Sequence, residues 1–374
     1  MTHWDNTRPV RVLVADDSAF MRTALTRMIE SDPGLRVSGV AQNGLEALEK
    51  IVVLKPDVVT LDVEMPKLNG LDALKRIMQE CPRPVIMVSS LTQEGAETTL
   101  DALAHGAFDY VPKQLSYVSL DIVKIRDDLV AKIKAAAESG RHMLLPKVAV
   151  PAHFPQARPA PSLASHAPPA VVALGTSTGG PKALQQILPM LPEDLPVGVL
   201  IVQHMPQGFT GPFARRLNGL CNIEVREAAH GDPIEGGVVY IAPAGQQMTV
   251  QRIGPTKHSV RLSSSPADTP HIPSVDVMML SVAEVFGPLA LGIIMTGMGA
   301  DGLQGMQAIR DRGGLTIGQD EPTCTVYGMP RSCAEAGVLQ RVVSLLRIPE
   351  QILQATRYRQ PPAPPAPRPQ PAAK

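Results

Sequence analysis

Short apolar runs and stretches of helical period alternate along most of the chain. Val10–Ala15 (VRVLVA) is a continuous apolar run of the length expected for a buried parallel strand. Ala19–Ile29 then carries apolar residues at helical spacing. VSGVA, VVTLD and PVIMVSS read as further strands with helical stretches between them, and Tyr110–Val111 as a fifth. Ile122, Ile125, Leu129 and Ile133 mark one face of a closing helix. Alternating βα units of this length predict a parallel doubly wound sheet.

The alternation resumes after residue 170. VVALG leads into GTSTGGPKAL, and VGVLIVQH into a helix near Pro212–Leu220. A β-rich stretch follows (VVYIAP, MTVQRI, SVRLSS), read as an antiparallel excursion. Then come a helix over Ser274–Phe286, the strand LALGIIMTG, a helix over Gly302–Arg310 and the strand LTIGQ. This block is again mostly α/β.

Two Pro/Ala-rich segments interrupt the pattern, one from about Val150 to Ala170 and one from Gln360 to the end. Such composition cannot bury a core and favours extended polyproline II. The expected organisation is therefore a first domain over 8–136, a linker over 137–168, a second domain over 169–357 and a disordered tail over 358–374. The 374 residues suffice for two cores. Lys plus Arg and Asp plus Glu are equal at 35 each, which argues against a protein built to grip nucleic acid. Cys81, Cys221, Cys324 and Cys333 form no CxxC pair, so neither a zinc knuckle nor a disulfide framework is expected. Met1–Pro9 has no apolar leader core and no run approaches a membrane span, so the expectation is a cytoplasmic protein without direct membrane insertion.

Candidate chemistry collects at the strand ends. Asp16 and Asp17 follow the first strand, Asp62 ends the third, Ser89 the fourth, and Lys113 follows the fifth. In an open parallel sheet these positions converge on one crevice. Clustered carboxylates suit a Mg²⁺ ion that also takes phosphate oxygens, and a carboxylate beside it can attack a phosphoryl group. VLVADDS, LDVEMPKLNGLDAL, VIMVSSLT and GAFDYVPK resemble the motifs of response-regulator receiver domains, whose fold is flavodoxin-like. The resemblance implies that Asp62 is the phosphoacceptor and that Asp16, Asp17 and Asp62, with the Glu64 carbonyl, bind Mg²⁺. It makes Ser89 and Lys113 the sensors of the phosphoryl oxygens and Tyr110 the switch aromatic. The chain departs from the receiver pattern in carrying Gln114, not proline, after Lys113.

In the second block, Gly175-Thr-Ser177-Thr-Gly179-Gly180 lies between a strand and a helix opening near Pro181. GxSxG is the spacing of a nucleophile on a sharp strand-to-helix turn. The rival reading is a phosphate-binding loop, but GxGxxG is absent and no Lys-Ser/Thr pair completes a Walker loop. Of the histidines after Ser177 (His204, His230, His258, His271), His204 ends a strongly apolar run and so shares Ser177's sheet edge. Asp301 follows LALGIIM and joins them, with a plain N-cap on the helix near Gly302 as its alternative role.

GTSTGGPKAL, VQHMPQGFTGPFARRL, APAGQQM, TPHIPSVDVMM and IMTGMGADGLQGM resemble the catalytic domain of chemotaxis protein-glutamate methylesterases. That resemblance implies a Rossmann-like domain with an antiparallel hairpin. It makes Ser177 the nucleophile, His204 the general acid/base, Asp301 its orienter and the Met298 amide part of an oxyanion hole. It also implies methyl-accepting chemotaxis receptors as substrate, deamidation of particular receptor glutamines, and a chemotaxis histidine kinase as phosphodonor. It implies no cofactor for the esterase reaction, and recruitment to membrane receptor clusters. The competing expectations are a transcription-regulator or a nucleotide-binding output domain. The first needs a basic helix-turn-helix after the linker, and the neutral charge and Gly-rich strand ends do not supply one.

Overall fold

The computed structural model describes residues 8–90, 92–113, 121–144 and 167–358. The first sheet has five parallel strands: β1 (Val10–Ala15), β2 (Leu35–Ala41), β3 (Val58–Asp62), β4 (Val85–Ser89) and β5 (Asp109–Pro112). Between them run α1 (Ala19–Glu30), α2 (Gly44–Leu54), α3 (Gly70–Glu80) and α4 (Gln93–Ala104), and α5 (Asp121–Leu144) closes the domain. The order β2-β1-β3-β4-β5 is the doubly wound flavodoxin-like arrangement expected from the alternation. Every residue of β3 and β4 is buried, because helices cover both faces. Asn43 and Asn69 each cap the helix that follows, accepting from the amides of Glu46 and Asp72.

The second sheet has seven strands, all parallel: β6 (Val171–Thr176), β7 (Gly198–Gln203), β8 (Glu224–Glu227), β9 (Val238–Ile241), then β12 (Ala290–Ile294), β13 (Leu315–Gln319) and β14 (Arg341–Val343). Between β9 and β12 lie the antiparallel hairpin β10 (Gln247–Arg252) and β11 (His258–Ser263) and the helix α8 (Val275–Phe286). The other helices are α6 (Gly180–Ile187), α7 (Thr210–Asn218), α9 (Leu303–Asp311), α10 (Met329–Glu335) and α11 (Ile348–Ala355). The order is β14-β13-β12-β6-β7-β9-β8. Direction reverses at β6, so the crevice beside its carboxyl end is where such a sheet binds ligands.

Two expectations need revision. VVYIAP belongs to the main parallel sheet, since β9 pairs with β7 and β8; among the strands of the described residues, β10 and β11 alone pair antiparallel. The boundary drawn at residue 136 falls inside α5, which runs to Leu144. Three successive alanines at 135–137 favour helix. Gly140, whose Cβ would lie 2.6 Å from Pro84, lets the helix pass close to the start of β4. Gln114, most of the Pro/Ala-rich segment and nearly all of the tail lie outside the described residues. Among the described residues no helix is long and apolar enough to cross a membrane.

The two domains are in contact. Tyr110 at the end of the receiver-like sheet stacks on Phe209, just before α7, with ring centroids 4.9 Å apart and 11° between planes. Both side chains are buried, and apolar contact is continuous from one domain into the other through them. Arg216 of α7 pairs with Asp101 of α4 at 2.5 Å.

Candidate functional site

Ser177 sits where β6 gives way to α6. Its amide donates to Thr296 O (3.0 Å), its carbonyl accepts from Gly180 N (2.8 Å) and Gln203 Nε2 (3.1 Å), and the Thr296 hydroxyl holds Thr178 O (2.9 Å). The turn is thus clamped to the end of β12 on one side and β7 on the other. Gly179 has φ +79°, and at Gly180 a Cβ would lie 2.0 Å from Gln203 Oε1, so the chain can bend here only with glycines. Gly297 passes so close that a Cβ on it would be 2.9 Å from Ser177 Cβ. This places Met298 next to the Ser177 turn. The backbone there is fixed by Gly297 N to Val326 O and by Gly328 N and Met329 N to Gly297 O.

His204 follows β7, and its amide donates to Thr176 O, one residue before Ser177. Its Nε2 meets Asp301 Oδ2 at 2.8 Å, while its Nδ1 is buried and has no hydrogen-bond partner among the described residues. With Nε2–H donating to the carboxylate, Nδ1 is the nitrogen left to act as a base.

Asp301 caps a helix, but not the one that follows it. The α9 N-cap position is Gly302, without a side-chain bond. Asp301 instead accepts from Ser274 Oγ (2.8 Å), Val275 N (2.8 Å) and Asp276 N (3.0 Å) at the start of α8. Burial opposes its charge, yet the His204 hydrogen bond and the helix amides more than offset this and hold the carboxyl well below the usual carboxylate range. Ser274, Thr296 and Gln203 are parts of this site that no catalytic spacing in the sequence points to. His271 is another: its ring stacks on His204, with centroids 4.0 Å apart and 19° between planes. His271 lies within the TPHIPSVDVMM motif, but nothing in its spacing marks it as a neighbour of His204.

The receiver-like domain gathers its acids as expected. Carboxylate oxygens of Asp16, Asp17 and Asp62 lie within 4.8 Å of one another, with Asp16 and Asp62 buried and Asp17 exposed. Lys113 Nζ reaches Asp62 at 2.5 Å and Asp16 at 3.3 Å, and the Lys113 amide donates to Ser89 O. Desolvation, with Asp16 adding to it, pushes Asp62 up to about 6 against the pull of Lys113. The exposed Glu64 donates its amide to Asp62 Oδ1 (3.2 Å). Three carboxylates facing one ammonium leave excess negative charge and an all-oxygen donor set, which fits a hard dication such as Mg²⁺. Ser89 is not brought to the acids: its hydroxyl is bonded to Gly95 O and Thr99 Oγ1 on α4. Tyr110 faces Phe209, with its hydroxyl buried and unpartnered among the described residues.

Comparison with known proteins matches two family models in order. Residues 12–122 match the response regulator receiver domain and 172–352 match CheB methylesterase. A protein-glutamate methylesterase/protein-glutamine glutaminase of Pyrococcus abyssi is 47% identical over 93% of this chain and 94% of its own. The corresponding protein 2 of Nitratidesulfovibrio vulgaris is 48% identical over 90% of this chain and 96% of its own. The crystal structure of the Thermotoga maritima CheB methylesterase catalytic domain is 36% identical, covering 50% of this chain and 98% of that one, with a TM-score of 0.49. On a likeness that runs through both domains, the chain belongs to the protein-glutamate methylesterase/protein-glutamine glutaminase family.

Proposed function

We propose that the protein hydrolyses glutamate methyl esters on chemotaxis receptors, and deamidates particular receptor glutamines, with Ser177 as nucleophile and phosphorylation of Asp62 as control. The observation that supports the reading is the hydrogen bond from His204 Nε2 to Asp301, which leaves Nδ1 buried and unpartnered among the described residues, on a histidine whose backbone amide is bonded to Thr176 O next to Ser177. His204 Nδ1 takes the Ser177 proton as Oγ bonds to the ester carbon. The carbonyl electrons collect on the oxyanion, towards which the Met298 amide donates. On collapse the C–O bond to methoxy breaks, His204 returns its proton, and methanol leaves. Water then repeats the sequence on the glutamyl-enzyme, giving free glutamate and restoring Ser177. Asp301 stays ionised throughout and supports the imidazolium. With a glutamine the leaving group is ammonia.

In the receiver domain, Asp62 attacks a phosphoryl group donated by the phosphohistidine of a chemotaxis kinase, and imidazole leaves. Asp16, Asp17 and Asp62, with the Glu64 carbonyl, would hold Mg²⁺, which when bound neutralises and orients phosphoryl oxygens. Lys113 and Ser89 then engage those oxygens. Ser89 must leave Gly95 and Thr99 to do so, which pulls on α4. Because α4 carries Asp101, and Tyr110 is stacked on Phe209, the phosphate would act on the contacts that hold the receiver beside the Ser177 site. Phosphorylation is then a population shift between covered and uncovered forms. With receptors as the substrate, the enzyme would work in the cytoplasm and be recruited to receptor clusters.

The test is methanol release from methylated receptor. Ser177→Ala should abolish it to about one part in 10⁶. A folded Ser177→Ala protein that retained a few per cent of turnover would overturn the assignment.

A further inference from the structure

The His204–Asp301 bond fixes one atom of the catalytic ring. A single bond at Nε2 leaves the imidazole able to swing about its side-chain torsions, and so leaves the direction of Nδ1 open. The second constraint is a face. His271 lies nearly parallel to His204, with ring centroids 4.0 Å apart. We propose that His271 is a positioning residue for the reaction: a flat ring that holds His204 with Nε2 on Asp301 and Nδ1 towards Ser177. The inference rests on the reading of Ser177 and His204 as nucleophile and base.

The loop that carries His271 is built to hold it. Gln247, wholly buried at the start of β10, donates to Pro266 O (3.0 Å) and Thr269 Oγ1 (2.7 Å) before the histidine, and accepts from Ser274 N (2.8 Å) after it. Thr269 Oγ1 in turn bonds His271 O (2.8 Å), and Gly245 N bonds Ile272 O (3.1 Å). One buried amide thus clamps both ends of the His271 loop to the hairpin. Its last link, Ser274, also donates to Asp301. The stacked ring and the orienting carboxylate are therefore parts of a single hydrogen-bonded frame.

The charges suit the role. Burial, and then the charge on His204, push His271 down to about 4, although much of the residue's surface is open to solvent. The groups whose charges reach it are His204, Asp301, and Asp128 and Lys132 of the receiver's α5. Two imidazolium rings at this separation would repel. A neutral His271 instead offers its face to the positive charge that His204 gains as Ser177 attacks.

The experiment uses the full-length protein, with His271→Ala, which removes the face, and His271→Phe, which keeps it. Two rates are measured: labelling of Ser177 by a fluorophosphonate, and methanol release from methylated receptor. His271→Ala should slow labelling and lower kcat by about 10- to 30-fold with KM within about twofold, whereas His271→Phe should stay within about threefold of wild type in both. Thermal unfolding of each variant separates these losses from misfolding. Labelling and kcat of His271→Ala within twofold of wild type would overturn the proposal. So would a His271→Phe loss as large as that of His271→Ala, which would assign the role to imidazole chemistry, or a loss confined to KM, which would assign it to substrate contact. Wild type that is labelled at Ser177 but releases no methanol sinks the methylesterase reading and leaves the positioning test intact.

Discussion

Asp62 and Asp301 both lie on the carboxyl side of a strand next to a switch in strand order, Asp62 as the last residue of β3 and Asp301 in the loop that leads from β12 to α9. Their electrostatics are opposite. Asp62 is buried beside Asp16 with Lys113 as its cation, and burial pushes its carboxyl up to about 6. Asp301 accepts from His204, a hydroxyl and two helix-terminal amides, and is held well below the usual range. A parallel sheet brings strand ends together without deciding what they become. The neighbours decide: burial beside a like charge raises one carboxyl and suits a cation, whereas a helix N-terminus and a histidine keep the other ionised.

The widest separation of the two carboxylates is expected in turnover. Asp301→Asn keeps the shape but loses the charge that stabilises the His204 imidazolium, and kcat for methanol release should fall about 10⁴-fold. Asp62→Asn should instead lose phosphoryl uptake from acetyl phosphate. If Asp301→Asn fell by less than about 10-fold, the helix-capping bonds alone would account for Asp301, and its place in the reaction would be withdrawn.

A smaller effect joins the two regions. Arg216 and Asp101 hold α7 to α4 across the domain contact. Arg216→Glu turns that attraction into repulsion, and unphosphorylated activity on receptor should rise by about 10-fold if the closed arrangement limits access. Adding Asp101→Arg should return activity towards wild type. No gain in the single variant would mean that the receiver does not restrain the site through this pair.

Much of this geometry is legible in the sequence because parallel strands announce themselves as apolar runs, and the residues that end them must share an edge. That logic places Ser177, His204 and Asp301 together, and likewise Asp16, Asp62 and Lys113. It fails where an element lacks the signature. β8 (EVRE) is a polar edge strand, and β9 looks like part of a hairpin until β8 is seen pairing with it. It also fails where contacts come from loops far apart in the chain. The ring of His271 meets His204 from a loop that Gln247 clamps, and Asp301 caps a helix that begins 26 residues before it. The stacking of Tyr110 on Phe209 depends on domain packing, about which the sequence of a Pro-rich linker says nothing.

The smallest effect is the sharpest, because the two carboxylates should move stability in opposite directions. A carboxyl whose folded pKa lies below its unfolded value stabilises the fold above the unfolded pKa, near 4, and loses that contribution as pH falls through the folded value. Asp301 is of this kind. At pH 7 its contribution is fully present, so Asp301→Asn should destabilise the catalytic domain by about 2 kcal/mol, the size of a well-placed charge at a helix N-terminus. A carboxyl raised in the fold does the reverse. The native state then binds the extra proton between about 4 and about 6, and stability falls as pH rises through that window, with the full penalty present at pH 7. Asp62→Asn removes the penalty but also deprives Lys113 of one partner, so a net gain of about 1 kcal/mol is expected in EDTA. Mg²⁺ should stabilise wild type, where it meets three carboxylates, more than it stabilises Asp62→Asn, where it meets two. Thermal unfolding at pH 7, with EDTA and with millimolar Mg²⁺, reads all of these. Loss of stability in Asp62→Asn in EDTA would mean that the Lys113 pair outweighs burial and Asp16, and the contrast between the two carboxylates would reduce to their partners alone.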